Sequence, residues 1–487
     1  MHHHWSKFVA AINQIGSLIA GKDVTQGGRD TRPVFNPATG ETIGMLSLAS
    51  LEDIDAAAEN AQKGFLEWSA RSAFERARCL QAVAAQVRAD AELMAALLTA
   101  EQGKTLNEAR GEVAGSADLF EWLAEEGKRI YGRTVPARSA GVQQMVQLEP
   151  VGPVAAFSPW NYPLALAARK IAHALAAGCS VVIKPAEEAP SAVLHLARIC
   201  IRCGVPANAI QVLFGVPSMV SERLIASRHI RKVSFTGSVT VGRHLAALAG
   251  QALKKVTFEL GGHSAVIVMD DADVDRAAQM SVASKFRNAG QICIAPSRFF
   301  VHEAIHDRFV SEFVRHSKNL SVGDGAMAGT DMGPLAHQRR AEVMQMYTED
   351  AVLAGARIAV GAPDRPSRAG YFWEPTVLTD VSDGARLMRE EVFGPIAPMV
   401  RFDDLDKVIA RANDVDFGLA SYAFTGSLKT ARAIQDRLKV GMVGINTFSV
   451  TAPEMPFAGT KDSGLGVAQG IEGLLDHMNV KSVYRAD

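Results

Sequence analysis

The stretch SVVIKPAEE, residues 180–188, reads as a short β-branched run from Val181 to Ile183, carried on to Lys184 and stopped by Pro185. Proline lacks the N–H that a sheet ladder needs, so Lys184 and Glu187 fall at the carboxyl end of the strand. Runs of the same texture stand around it: PVAAF at 153–157, KVSFT at 232–236 and SAVIVM at 264–269, with alanine-rich helical segments between them. Strands alternating with helices in this way predict a parallel sheet joined by crossover helices, an α/β architecture. A second series follows residue 262, through RFFV, PTVLT and VGINT, so two α/β domains are expected. Residues 50–130 read instead as long alanine- and leucine-rich helices, one of them opening on a box-like cap, Ser50 and Asp53. The segments VPARSAGVQQMVQLEP, 135–150, and NVKSVYR, 479–485, read as extended arms of the kind that pair across subunits.

At 487 residues the chain exceeds what one core fills. Its hydrophobic content of 48%, charged content of 21% and net charge of −1 are those of a globular enzyme. They give no electrostatic reason to expect nucleic acid or an anionic membrane as partner. No apolar run is long enough to span a bilayer and no secretory signal is legible, so a cytoplasmic location is expected. His2, His3 and His4 resemble a tag remnant and carry no argument. Five cysteines are too few for a disulfide scaffold at this size and suit a reducing compartment. The CxxC of Cys200 and Cys203 ends a helical run, where packing is the expected role.

Several motifs invite chemistry, each with a bland reading beside it. No GxGxxG fingerprint occurs, and GLGVAQG at 464–470 has no strand leading into it, so it reads as a loop. In SFTGSVTVG, 234–242, a strand meets Gly237 and Ser238 and then a helix, which suits a pyrophosphate or an ordinary turn equally well. A carboxylate at Glu187 can accept two hydrogen bonds from a ribose diol, or simply face solvent. HEAIH at 302–306 matches a zinc-protease pattern, but His302 follows a strand directly and no third ligand stands at the usual distance, so no metal is expected. FELGGHS, 258–264, sets Glu259 at a strand end beside two glycines, as a general base or a turn cap. NAGQICIAP, 288–296, holds Cys293 among small uncharged residues, as a nucleophile or a core thiol, and EEVFGP, 390–395, places Glu391 and Phe393 in a loop.

Taken in order, PWNYP, KPAEE, FTGSVTVG, FELGG, GQIC, EEVFGP and MPFAGTKDSGLG resemble the aldehyde dehydrogenase superfamily from about residue 33 onward. Within it, FNPATGETIG, EQGKTL, RKIAHALAAG and KFRNAGQ are most similar to NAD-dependent succinate-semialdehyde dehydrogenases. The resemblance implies a Rossmann-like cofactor domain (5–130 and 150–260), an α/β catalytic domain (261–462) and a small β-strand oligomerisation arm (131–149 and 463–487). It implies Cys293 as nucleophile forming a thiohemiacetal and then a thioester, Glu259 as the base for hydrolysis, and Asn161 with the Cys293 N–H as oxyanion hole. Cofactor contacts carry over to Trp160, Lys184, Glu187, Gly237, Ser238, Glu391 and Phe393. Because Glu187 repels a 2′-phosphate, NAD is expected ahead of NADP, with NADP possible. Arg169 and Arg287 match positions that grip a far carboxylate, and succinate semialdehyde is the expected substrate of a homodimer or homotetramer.

The chain also departs from these relatives. Thr451 and Ala452 replace a serine pair common there, Ala458 interrupts the usual PFGG, and Ala295 stands where some relatives hold a second cysteine. Tyr162, Phe448 and Phe457 offer an aromatic wall that suits another aliphatic or aromatic aldehyde, the alternative substrate class. An acyl-CoA-forming enzyme is disfavoured by the presence of Glu259. A cysteine hydrolase would need a histidine such as His263 on Cys293, and a binding protein on this fold is expected to lose Cys293, Glu259 or Asn161.

Overall fold

Val154–Phe157, Val181–Lys184, Ile210–Val212 and Lys232–Thr236 are buried at every position, as strands covered by helices on both faces must be. The computed structural model describes residues 15–25, 27–361 and 369–486. Residues 5–14, read above with the cofactor domain, lie outside them, as do residue 487 and His2, His3 and His4.

The first sheet has eight strands. Its parallel centre runs in the spatial order Ile210–Val212, Val181–Lys184, Val154–Phe157, Lys232–Thr236, Lys255–Glu259. Short antiparallel strands close both edges: Ser17–Ile19 with Lys22–Val24 on one side, and Gly464–Leu465 on the other. The chain thus winds outward in both directions from Val154–Phe157. That reversal leaves a crevice beyond the carboxyl ends of Val154–Phe157 and Lys232–Thr236, the switch point where open α/β sheets bind ligands.

A second, seven-stranded sheet follows the order Arg357–Val360, Thr376–Thr379, Ile396–Phe402, Pro296–His302, Ser264–Val268, Ala420–Phe424, Met442–Ile445, with only its first strand antiparallel. Residues 260–263 carry the chain from the first sheet to the second, from Glu259 at the end of one strand to Ser264 at the start of the next, and it returns to the first sheet at Gly464–Leu465. Met478–Ala486, Val142–Pro150 and Arg133–Val135 form a separate antiparallel sheet. Of the stretch 463–487, only Met478–Ala486 joins it; Gly464–Leu465 pairs with Phe258 and Glu259, and the Gly470–Leu475 helix packs on the Pro163–Ala177 helix. GLGVAQG is therefore part strand and part helix start, where the sequence reads as loop.

Local chemistry sets the helix ends. Ser50 with Asp53, Ser72 with Glu75 and Thr105 with Glu108 each form a full capping box. Pro163 opens the Pro163–Ala177 helix, where its missing N–H costs nothing, and Gly178, at φ +92°, closes it.

The Leu106–Glu126 helix carries Glu112, whose side chain is fully buried with that of Lys104. Glu112 pairs with the Lys104 ammonium and also accepts hydrogen bonds from the N–H groups of Leu164 and Ala165, both 2.9 Å, at the positive end of the next helix. Lys104 donates in turn to the carbonyl of Asn161 at 2.9 Å and lies 3.8 Å from the Tyr162 ring centre. This pair ties the helical layer to the PWNYP segment.

Replacing Lys104 by Met is expected to destabilise the protein by about 3–5 kcal/mol, because the Glu112 charge is left buried without its partner. A denaturant midpoint unchanged from wild type contradicts this.

Candidate active site

The switch-point crevice opens into a cleft of about 220 Å³. Pro159, Trp160 and Asn161 reach it from the first strand, Thr236, Gly237 and Ser238 from the second, and Cys293, Arg340, Glu391 and Phe393 from the opposite side. Ser238 caps the Val239–Gln251 helix, its hydroxyl accepting from the Val241 N–H at 3.4 Å, so that helix's positive end points at the crevice.

Cys293 follows a turn in which Asn288 (φ +49°), Ala289 (φ +52°) and Gly290 (φ +70°) are all left-handed. Non-glycine residues hold that conformation only where their surroundings over-determine it. Here Glu108 Oε1 accepts from the Asn288 N–H at 2.6 Å, Asn288 Nδ2 donates to the Asn161 carbonyl at 2.9 Å, and Gln291 Nε2 donates to the Asn288 carbonyl at 3.0 Å. Gln291 Oε1 accepts from the Ala336 N–H at 2.9 Å. Asn161 Nδ2 donates one hydrogen to the Gln291 carbonyl at 3.0 Å and keeps the other for the cleft.

The two reactive candidates are treated oppositely by their surroundings. Burial alone pushes the Glu259 carboxyl up, but the Arg169 and Lys170 charges and a 2.6 Å hydrogen bond from Thr236 outweigh it and hold the group below the ordinary range. Glu259 is therefore ionised at neutral pH. Burial pushes the Cys293 thiol up to about 12, helped by the Glu259 and Glu391 charges and opposed by Arg169. At rest the sulfur is a thiol. His263 is no base for it: the ring is buried, and burial holds the imidazole well below its usual range.

Arg169 forms an ion pair with Glu259, and its guanidinium lies 4.3 Å from the centre of the Phe457 ring. Its charge is thus engaged at the base, where the sequence reading has it on a far carboxylate. Arg287 is exposed and has no hydrogen bond or ion pair among the described residues, while its charge acts on the phenols of both Tyr162 and Tyr422. Tyr422 donates to the Ile294 carbonyl at 2.7 Å and packs on Phe448 at 4.7 Å between ring centres. Thr451 is exposed and Phe457 buried.

Lys184 and Glu187 are both buried and paired with each other. Glu391 accepts from the Gly262 N–H at 2.9 Å; burial raises its carboxyl to about 7. Phe393 and His337 both meet Trp160 edge-on, at 5.5 and 5.1 Å. His302 closes one strand and His306 begins the next helix, so the two imidazoles of HEAIH share no helical face. Lys104, Glu108, Glu112, Gln291, Arg340 and Tyr422 join the site without a sequence signal of their own chemistry. Gln291 stands inside GQIC and Lys104 inside EQGKTL, whereas Arg340 lies in no motif.

Residues 24–483 match the aldehyde dehydrogenase family. The chain is 48% identical to 4-(hydroxymethyl)benzenesulfonate dehydrogenase of Comamonas testosteroni, over 96% of this chain and 97% of that protein. It is 40% identical to the NADP-type succinate-semialdehyde dehydrogenase of Escherichia coli, over 96% of each. The crystal structure of succinate-semialdehyde dehydrogenase from Burkholderia pseudomallei superposes with a TM-score of 0.96 at 39% identity, covering 98% of this chain and 99% of that one. The chain belongs to the aldehyde dehydrogenase family, oxidoreductases whose cofactor is NAD(P). Its residues fit such a group: Ser158 Oγ is buried at a strand end with no hydrogen-bond partner among the described residues, next to the paired Lys184 and Glu187.

Alkylation of Cys293 by iodoacetamide, followed by peptide mass, is expected to be slow near neutral pH and to rise about tenfold per pH unit well into the alkaline range. A plateau below about pH 8 would contradict a thiol raised by its surroundings.

Proposed function

From that family membership we propose that the chain oxidises an aldehyde carrying an anion at its far end to the carboxylic acid, with NAD preferred to NADP. The observation that carries the chemistry is that a thiol and an amide donor, Cys293 and Asn161, line one cleft, while the ionised Glu259 is held behind its wall by the hydrogen bond from Thr236 and its charge reaches the sulfur. The Cys293 sulfur adds to the aldehyde carbon as its proton passes to solvent, and the carbonyl π bond opens onto the oxygen. The second N–H of Asn161 and the backbone N–H of Cys293 stabilise the oxygen as charge develops on it. A bound nicotinamide supplies the hydride acceptor. The resulting thioester on Cys293 is hydrolysed by water whose proton passes to Glu259, which Arg169 and Thr236 keep ionised and oriented.

Lys184 and Glu187 are assigned to the adenosine ribose, Gly237 and Ser238 to the pyrophosphate, and Glu391, Phe393 and Trp160 to the nicotinamide end. The carboxylate at 187 supports NAD, since it repels a 2′-phosphate. The two parallel sheets support the division into cofactor and catalytic domains. The exposed Met478–Ala486 strand supports a homo-oligomer, and five free cysteines support a cytoplasmic setting.

Arg287, exposed and unpaired among the described residues, supports an anionic tail, and Tyr162, whose phenol feels its charge, is assigned to the substrate with Thr451 and Phe457. Succinate semialdehyde is the compact candidate. A ring-bearing aldehyde with a sulfonate or carboxylate is the second reading, favoured by the Tyr422–Phe448 pair and by the benzenesulfonate relative.

Comparison of kcat/KM for succinate semialdehyde and 4-formylbenzenesulfonate against butanal and benzaldehyde tests the proposal. One anionic aldehyde is expected to exceed its uncharged counterpart by more than about tenfold, and Arg287→Met to remove most of that advantage. Equal values for charged and uncharged aldehydes reject the anion. Arg169→Met removes the charge that keeps Glu259 low, so the acid limb of the kcat profile is expected to move to higher pH; an unmoved limb rejects the pairing.

A further inference from the structure

We infer that Arg340 is a positioning residue for the cofactor site: it fastens the loop 390–395 so that Glu391 and Phe393 face the cleft. The inference rests on reading Glu391 and Phe393 as cofactor contacts. Arg340 begins a stripe along the Gln338–Leu353 helix, with Met344 and Tyr347 at the i+4 and i+7 positions that share its face. All three touch the loop. Arg340 Nη2 donates to the carbonyls of Val392, at 2.5 Å, and Phe393, at 2.9 Å, and its guanidinium lies 5.7 Å from the centre of the Phe393 ring. Met344 packs under Gly394, where a Cβ would lie 2.1 Å from its sulfur. The Tyr347 hydroxyl donates to Glu390 at 3.0 Å.

The loop needs such fastening. Phe393 has φ +48°, a left-handed conformation that a bulky residue does not hold unaided. The Gly394 carbonyl presses so close to the turn before Cys293 that a Cβ on Gly290 would lie 2.3 Å from it. A shift of the loop therefore reaches both the ribose acceptor and the nucleophile's turn. A single nitrogen of a rigid guanidinium bonded to consecutive carbonyls fixes the direction of that backbone, which a flexible ammonium does less well.

Arg340 also acts on the charge of Glu391. The groups that face this carboxyl are the Gly262 N–H, the Arg340 guanidinium and, across the cleft, the Cys293 thiol. Burial raises the carboxyl, and the first two oppose the rise. The ionised form accepts strongly on both oxygens, whereas the protonated form must donate from one of them, so loss of Arg340 weakens cofactor binding twice, through geometry and through protonation.

Calorimetric titration of NAD into the substrate-free protein, from about pH 6 to about pH 9, tests this on wild type, Arg340→Met and Glu391→Gln. For Arg340→Met the Kd is expected to rise at least about tenfold, and the pH midpoint of binding to move up by about one unit. Arg340→Gln, which keeps a donor without the charge, is read in the same way if the Met variant does not fold, and its midpoint is expected to move likewise. Wild-type Kd and midpoint in a folded Arg340 variant, with Glu391→Gln weakened, overturn the role of Arg340 alone. Wild-type binding by Glu391→Gln overturns the reading of Glu391 on which it rests.

Discussion

At Gly262 the backbone passes so close to Cys293 that a Cβ would lie 2.2 Å from the cysteine's carbonyl oxygen. The neighbouring Gly261 allows a similar approach by Glu391, whose Oε2 would lie 2.7 Å from a Cβ there. These two glycines belong to the four residues that carry the chain from one sheet to the other. Because the crossing is so short, the end of one strand, Glu259, and the turn after a helix of the other sheet, Cys293, meet in one place. A side chain at Gly262 would push the crossing off the Cys293 backbone, and one at Gly261 would displace the Glu391 carboxylate, at the point where base, nucleophile and ribose acceptor converge.

Around this crossing the protein sorts its buried charges by partner. Glu259 has Arg169, Lys170 and Thr236, and stays ionised despite its burial. Glu391 has a backbone N–H and Arg340, and is held only near neutrality. Cys293 has two carboxylates for neighbours and one opposing arginine, and keeps its proton. Two carboxyl groups that act on the same thiol thus take different states, the pattern expected where one is to accept protons and another to bind hydroxyls.

The parallel strands were legible because their apolar residues are β-branched and bounded by glycine or proline, as at Ile183 and Pro185. The motif positions around the cleft were legible through resemblance, since Cys293, Glu259 and Asn161 lie up to 132 positions apart in pieces that no periodicity connects. What the sequence hides is partnership. Arg169 reads as a carboxylate ligand because a guanidinium suits one, but the nearest carboxylate in space is Glu259, brought to it by strand pairing. Arg340 has no motif around it, and its role depends on a loop fifty residues downstream (the Val392 carbonyl is 52 positions away). Edge strands as short as Gly464–Leu465 carry too few residues for any pattern, so pairing with Phe258 and Glu259 decides them.

The account turns on Cys293 holding the acyl group and Glu259 releasing it. The most direct measurement mixes Glu259→Gln protein with NAD and an aldehyde that wild type turns over, follows reduced nicotinamide through the first turnover, and determines the mass of the Cys293 peptide after an acid quench. A burst close to one equivalent per site, slow turnover after it and an acyl mass on Cys293 are expected. A burst without that adduct, or steady turnover at the wild-type rate, would contradict those two roles.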